Sequence, residues 1–383
     1  MFILKLVLRN AFRHRLRTLL TVTGLAVAVL AYGLLQTVVD AWYAGAAAAS
    51  ATRLVTRNAI SLTIFLPVSY ENRIRSVEGV SKVARSNWFG GIYQEPKNFF
   101  PQFAVSDNYL DLYPEFVLAE DERAAWRRDR KGCLIGRQLA EQYGFKIGDV
   151  VPIRGTIYPG TWSFVVRGIF DGSDSTKITR LMLFHWDYLN ESLRKTAPRR
   201  ADFVGIYIVG VDNADGVGAT AVRVDDVFRN SLAETLTESE QAFQLGFVAM
   251  SDQIIAAIRV VSYVVILIIM AVMANTMAMS ARERTSEYAT LKVLGFGPAF
   301  LAALIFGESL LICAIGGGIG VLLSAPTAAF FKQVAGIFPI FAVSADTTAL
   351  QLACALAVAL AAAAVPAVRA ARVRIVEGLR AIA

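Results

Sequence analysis

The residues with most to offer chemically lie in one polar stretch, Ala281-Arg-Glu-Arg-Thr-Ser-Glu-Tyr-Ala-Thr-Leu-Lys-Val-Leu-Gly-Phe296. Glu283, Glu287, Leu291 and Leu294 recur at three- and four-residue steps, which predicts one helical face. Gly295 follows as a helix stop. Carboxylates in line with leucines can pair with basic groups on a protein partner and fill a shallow apolar groove. That is recognition chemistry. The patterns that make or break bonds do not occur. The two histidines, His14 and His185, stand far apart in the chain. No His pair, and no pair among Cys133, Cys313 and Cys354, has metal-ligand spacing. There is no Gly-x-Ser-x-Gly elbow and no Walker A loop. If ATP powers this protein, another chain binds it. Glu308 is the sole charge between Val293 and Phe331, and a carboxylate inside a membrane is a functional candidate because it is costly there. The plainer alternatives are a solvated helix for the polar stretch and a helix-to-helix bond for Glu308.

The elements that must hold these residues are set by an uneven apolar pattern. The chain is 55% hydrophobic and 18% charged, with a net charge of +7. Four stretches reach the length of about 20 apolar residues that a bilayer requires: 18–39, 260–281, one within 293–331, and 347–368. Pro326 and the glycines at 316, 317, 318 and 320 are expected to break up the rest of the 293–331 run, and the glycines to permit close helix packing instead of lining a pore. The first is too long for a signal-peptide core of about 7–15 residues, so it reads as an uncleaved anchor. Lys5, Arg9, Arg13, Arg15 and Arg17 precede it; Arg282, Arg284 and Lys292 follow the second; Arg369, Arg372, Arg374 and Arg380 follow the fourth. The positive-inside rule then puts both termini and the 282–297 loop in the cytoplasm and 40–258 outside. The outer segment is nearly balanced in charge. The cationic excess therefore suits anionic lipid headgroups, not nucleic acid. Cys133 is the only outer cysteine, so the outer segment has no internal disulfide to form.

Residues 2–17 predict an amphipathic interfacial helix, with Lys5, Arg9, Arg13 and Arg17 as a basic stripe. Asp40–Ile60 and Val222–Ser251 have few helix breakers and predict two helices rising from the membrane as a stalk. Phe228, Leu232, Leu236, Phe243 and Phe247 recur near helical spacing in the second. Between them lies a mixed α/β domain. Its strands are expected at 150–154, 163–170 and 201–211. The run Gly132–Gly144 predicts a strand end, a turn and a short helix stopped by Gly144.

Three motifs together resemble the MacB/FtsX/LolC-LolE-type ABC permeases (type VII). The family's loop pattern Glu-Arg-x-x-Glu-(Ile)-x-x-Leu-(Arg/Lys)-x-Leu-Gly is matched by Glu283, Arg284, Glu287, Leu291, Lys292, Leu294 and Gly295, with Tyr288 in place of the common Ile. The tail Pro366-x-x-Arg369-Ala-Ala-Arg372 and Val376-Glu377-x-Leu-Arg380 resembles the family's end. Leu134-Ile-Gly-Arg-Gln-Leu-Ala with Gly144-x-x-x-Gly-Asp149 resembles its extracytoplasmic domain. The resemblance implies an α-helical membrane protein with four transmembrane helices plus a mixed α/β extracytoplasmic domain on a helical stalk. The expected order is a cytoplasmic amphipathic helix (1–17), the first span (18–39), stalk and MacB-like periplasmic domain (40–258), the second span (259–281), a coupling loop (282–297), the third span (298–325), a short outer loop (326–346), the fourth span (347–368) and a cytoplasmic tail (369–383).

By that resemblance the chain is a split permease without a fused ATPase, multi-pass in a bacterial inner membrane. It holds no cofactor and catalyses nothing itself. ATP and Mg are bound by two copies of a partner ATPase, and a second permease, identical or paralogous, completes the complex. A periplasmic adaptor or substrate-binding partner is a further expectation. The loop residues 283, 284, 287, 291, 292, 294 and 295, with Arg369, Arg372, Glu377 and Arg380 of the tail, are expected to meet the ATPase and pass its motion to the outer domain. The work done is export or extraction of a drug, peptide, lipid or lipoprotein. The main alternative is an FtsX-like regulator of an extracytoplasmic partner such as a cell-wall hydrolase. An anchored outer-domain enzyme is a weaker one, since no residues carry it.

Overall fold

The computed structural model describes residues 2–47, 49–173, 179–334 and 341–373. They fall into two compact units, one of Met1–Trp42 with Ser251–Ala383 and one of Tyr43–Met250. The chain opens with α1 (Phe2–Ala11) and α2 (Arg15–Ala47). The single helix expected over 2–17 is thus two helices and a turn. The turn is closed by the Thr18 hydroxyl, which donates to the Ala11 carbonyl. It places Arg13 at the bend, off any continuous basic stripe.

The Tyr43–Met250 unit is a mixed α/β domain. Its chain runs β1 (Arg53–Asn58), β2 (Leu66–Pro67), α3 (Tyr70–Arg75), β3 (Val80–Trp88), β4 (Ile92–Tyr93), β5 (Gln102–Val105), α4 (Tyr109–Leu112) and β6 (Phe116–Val117). It continues through α5 (Glu120–Arg128), β7 (Gly132–Gly136), α6 (Arg137–Tyr143), β8 (Val150–Gly155), β9 (Gly160–Gly172) and β10 (Met182–His185). It closes with α7 (Trp186–Thr196), β11 (Phe203–Val204), β12 (Ile206–Val211), α8 (Val217–Val227), β13 (Thr235–Ser239) and α9 (Glu240–Met250). The main sheet is ordered β13-β1-β12-β3-β5-β10-β7-β9-β8-β4, with β6 on β9. Pairs β5–β10 and β7–β9 are parallel.

Period-two alternation explains why these segments are strands. Leu54, Val83, Ala104, Cys133 and Phe184 enter one core, while their chain neighbours Val55, Ala84, Val105, Leu134 and Leu183 enter another on the opposite face. Both faces are therefore covered. Tyr70, Leu139, Leu189, Leu193 and Val224 from α3, α6, α7 and α8 pack in the first core. Tyr109, Leu110 and Trp126 from α4 and α5 pack in the second.

Two expectations are corrected here. The helix after the first span ends at Ala47, and Arg53–Asn58 is a strand, because Leu54 and Val55 alternate into the two cores. Val222–Ser251 is the end of α8, a strand and α9. Its aromatic spacing reflects different partners: Phe228 stacks on Tyr70 at 4.1 Å, while Phe243 meets Phe247 at 5.1 Å.

The other unit gathers α1 and α2 with α10 (Asp252–Glu283), α11 (Thr285–Val293), α12 (Pro298–Val334) and α13 (Ala345–Ala371). Helices α2, α10, α12 and α13 are each long and apolar enough to cross a membrane. The glycines and Pro326 do not interrupt the third; α12 runs through them. The glycines act in packing, as expected of close helix approach. A Cβ on Gly316 would lie 2.9 Å from the Val22 carbonyl oxygen, and one on Gly320 only 2.7 Å from that of Ala26 and 2.9 Å from Val29 Cβ. Gly320→Ala is therefore expected to lower stability by about 1–3 kcal/mol, read as a lower Tm of the purified chain. An unchanged Tm would mean that α2 and α12 stand farther apart. Several buried polar side chains in the bundle find partners on neighbouring helices. Gln351 donates to the Val29 carbonyl at 2.9 Å and to Ser324 at 2.7 Å, Ser309 donates to the Ala359 carbonyl at 2.7 Å, and Asp40 accepts from Thr347 at 2.6 Å.

Candidate coupling surface

Helix α10 ends at Glu283, and Arg284 both closes it and opens α11. This break separates Glu283 from Glu287, so the four residues expected on one continuous face lie on two helices. The reason is Arg284 itself. It is 7% exposed, and its guanidinium donates to Glu287 at 3.0 Å and to Glu308 at 3.0 Å. A side chain pulled into the bundle this way turns the backbone out of register. Glu308, the intramembrane acid, is thus the partner of Arg284 and is buried with it.

Both remaining carboxylates are held from the other side of the bend. Arg17 meets Glu283 with two bonds of 2.8 Å, the fork geometry that suits a carboxylate. Arg13 pairs with Glu287. Burial works against the Glu287 charge, but the bonds from Arg13 and Arg284 prevail and hold its carboxyl below the usual range. The chain Arg13–Glu287–Arg284–Glu308 therefore joins the α1–α2 bend, α11 and α12. Beneath it Tyr288 is 1% exposed, and burial pushes its hydroxyl up to about 12.

The far end of α11 is built differently. Phe296 N–H donates to the Leu291 carbonyl at 3.0 Å and Gly295 N–H to that of Lys292 at 3.1 Å. This double closure needs a left-handed residue between them, which Gly295 supplies at φ +93°. Leu291 packs partly buried on the bundle core. Leu294 is 68% exposed, Val293 57% and Phe296 37%. Lys292 Nζ donates to the carbonyls of Ala371 at 2.9 Å and Val373 at 2.7 Å, tying α11 to the end of α13. Arg369 and Arg372 are exposed there. Glu377 and Arg380 lie outside the described residues.

So the predicted residues are brought together, with a different division of labour. The acids brace the loop internally, and the exposed apolar tip is Val293, Leu294 and Phe296. Arg13 and Arg17 stood out in the sequence only as membrane anchors. Their four-residue spacing matches that of Glu283 and Glu287, which was the available signal. His185 is also accounted for without chemistry. Its ring nitrogens lie 2.8 Å from Asp107 and 2.8 Å from the Trp126 carbonyl, and the ring stacks on Trp126 at 4.2 Å.

Two family models divide the chain between them. The FtsX-like permease C-terminal model matches residues 259–375, and the MacB-like periplasmic core domain model matches residues 18–235. The chain belongs to the MacB/FtsX-type ABC permeases. The permease is a membrane protein with an extracytoplasmic domain, and its family implies an ABC ATPase as partner. No curated protein matches it. Among solved structures it is similar to the extracellular domain of the noncanonic ABC-type transporter YknZ from Gram-positive bacteria, at 14% identity over 49% of this chain and 100% of that one, with a TM-score of 0.36. It is also similar to the periplasmic region of MacB from Actinobacillus actinomycetemcomitans, at 10% identity over 52% of this chain and 94% of that one, with a TM-score of 0.37.

Proposed function

We propose that this chain is the transmembrane subunit of an ATP-driven complex in a bacterial inner membrane. A separate ATPase, binding ATP and Mg, docks on the cytoplasmic loop, and its closure moves the extracytoplasmic domain to export or extract a drug, peptide, lipid or lipoprotein. The observation that carries this reading is the tip of α11. Three apolar side chains, Val293, Leu294 and Phe296, stand exposed on a loop whose every acid is spent on internal ion pairs. An apolar tip on a braced frame fits a groove in a soluble partner and transmits displacement instead of absorbing it.

Leu294→Asp puts a charge in that groove and touches nothing in the core. It is expected to leave the chain in the membrane and to cut ATPase recovery in co-purification more than about tenfold, the loss of an interface anchor. Leu291→Asp is a poorer probe, since that side chain also packs on the bundle. Full ATPase recovery with Leu294→Asp would place the docking surface elsewhere.

The reading also requires 40–258 to lie outside. Leu232 is fully exposed, Cys133 is buried, and Cys313 and Cys354 lie in the spans. A Leu232→Cys chain in intact spheroplasts should therefore react with an impermeant maleimide. Reaction only after lysis would reverse the topology.

A further inference from the structure

A cleft of about 440 Å³ opens in the extracytoplasmic unit between α4, β6 and α5. Leu110 and Phe116, which pack in or against the second core, form its apolar wall with Val117, which is 53% exposed. Its polar wall is Lys82 of β3, Asp111 of α4 and Arg123 of α5. Small-molecule sites usually take this form: about 300–1,000 Å³, largely apolar walls and a few convergent polar groups. A protein segment is a poorer match. β6 is only Phe116–Val117, too short an edge to take up an added strand.

Arg123 is the informative member. Its Nη2 donates to Asp111 at 3.1 Å. Its Nε–H is buried and meets no acceptor among the described residues. Buried donors are normally paired, and leaving a charged one unpaired costs most. The charges around it point the same way. At the lining, two cations, Lys82 and Arg123, stand against one acid, Asp111. Arg127 draws on the same carboxylate from 3.6 Å, and Lys82 lies 3.9 Å from it. Glu120 is 3.9 Å from Arg123 but 90% exposed, and Glu122 is engaged by the Ile169 N–H at 3.1 Å. The lining thus keeps one positive charge beside an apolar wall.

We propose that this cleft binds a small amphipathic monoanion, with its charged head on Arg123 and Lys82 and its apolar body along Leu110, Phe116 and Val117. Each part of the ligand answers one part of the wall. An acceptor with a negative charge satisfies the Nε–H and the surplus cation together, as charge-assisted hydrogen bonds do. A single charge suffices, since Asp111 already answers one of the two lining cations. An apolar body takes Val117 out of water. A neutral apolar molecule would leave the Nε–H unpaired, and a cation would meet Lys82 as a like charge. The site needs neither ATP nor the ATPase, so it goes beyond the permease reading and stands or falls apart from it.

The test uses the full chain in nanodiscs of zwitterionic lipid, with Cys133, Cys313 and Cys354 replaced by Ala. One chain carries Val117→Cys in the cleft, and a reference chain carries Leu232→Cys, exposed outside it. The rate of reaction with a soluble maleimide is followed against octanoate, octanol and octyltrimethylammonium. Octanoate should slow the reaction of Val117→Cys and spare Leu232→Cys, and the neutral and cationic analogues should protect far less at equal concentration. Adding Arg123→Met should raise the half-protecting octanoate concentration about tenfold or more, the usual loss for a hydrogen bond to a charged group. Lys82→Gln, at an exposed side chain, should raise it about threefold. Monodisperse elution shows that a variant still folds; should Arg123→Met fail to, Lys82→Gln and the two analogues decide. No protection by octanoate, equal protection by octanol, or an unchanged half-protecting concentration in the folded variants overturns the proposal. Protection by acetyl-Leu-Leu-Asp-amide without protection by octanoate overturns it as well, and gives the cleft to a protein segment.

Discussion

Arg284→Met is expected to cost the membrane unit about 3–5 kcal/mol, the usual penalty for leaving one member of a buried ion pair behind. Glu308 lies 3.0 Å from the guanidinium, and the two side chains are 7% and 9% exposed. Methionine fills much of the arginine stem's volume, so packing is largely kept. What is lost is the only described counter-charge of a carboxylate among helices. Arg284 also braces Glu287, so α11 loses its anchor in the same step. Thermal unfolding of the detergent-purified chain should shift down strongly, with a large aggregated fraction. The double variant Arg284→Met/Glu308→Leu should recover most of the loss, because replacing both members by apolar groups is often close to neutral. A single variant as stable as the wild type would mean that the pair does not form. A double variant no better than the single would mean that Arg284 acts through Glu287 alone.

A loss of the same size, about 3–5 kcal/mol, is expected from Arg53→Met in the extracytoplasmic unit. Arg53 is 5% exposed at the start of β1. It donates to Glu240 at 2.8 Å, to the Leu112 carbonyl at 2.8 Å and to Glu115 at 3.1 Å, with its guanidinium 4.1 Å over the Tyr113 ring. Tyr113 closes the group by donating to Glu240 at 3.0 Å. Burial works against the guanidinium's charge, but Glu115, Glu240 and Tyr113 hold its pKa above the ordinary value. Methionine leaves two carboxylates facing each other with no cation between them. Limited proteolysis of the full chain should then cut around residues 47–53 and 239–251 at protease levels that leave the wild type whole. Adding Glu115→Gln and Glu240→Gln should restore part of the resistance. Wild-type resistance in the single variant would show that the cluster contributes nothing to holding those segments.

The four spans were legible because length and lack of charge suffice to define them, and the strand–helix unit Gly132–Gly144 because its glycines sit where the chain must turn. Other features depended on distant partners. Arg53–Asn58 looked helical among alanines; what makes it a strand is β12 and β13 on either side. The glycines of α12 were legible as packing positions, but which helix they pack on, set by Val22, Ala26 and Val29, was not. In the candidate site the residue types were legible and their pairing was not. Glu283 and Glu287 presented as free acids because Arg13 and Arg17 lie some 270 positions away in sequence, and Arg284 gave no hint that it points inward.

The first and last strands of the extracytoplasmic unit lie side by side. Leu54 of β1 stands opposite Ser239 of β13 in antiparallel register. The chain enters β1 and leaves β13 at the same end, and only Ser251 separates α9 from α10. Tension that draws the two connections apart would therefore meet this pair as a zipper, with rungs opening singly from Leu54–Ser239, the weak way to load a sheet. Arg53 and Glu240 are the very next residues outward. Their ion pair closes the mouth of the zipper, where a tug must arrive first. A pull on either connection would have to break that ion pair before it could peel the edge strand.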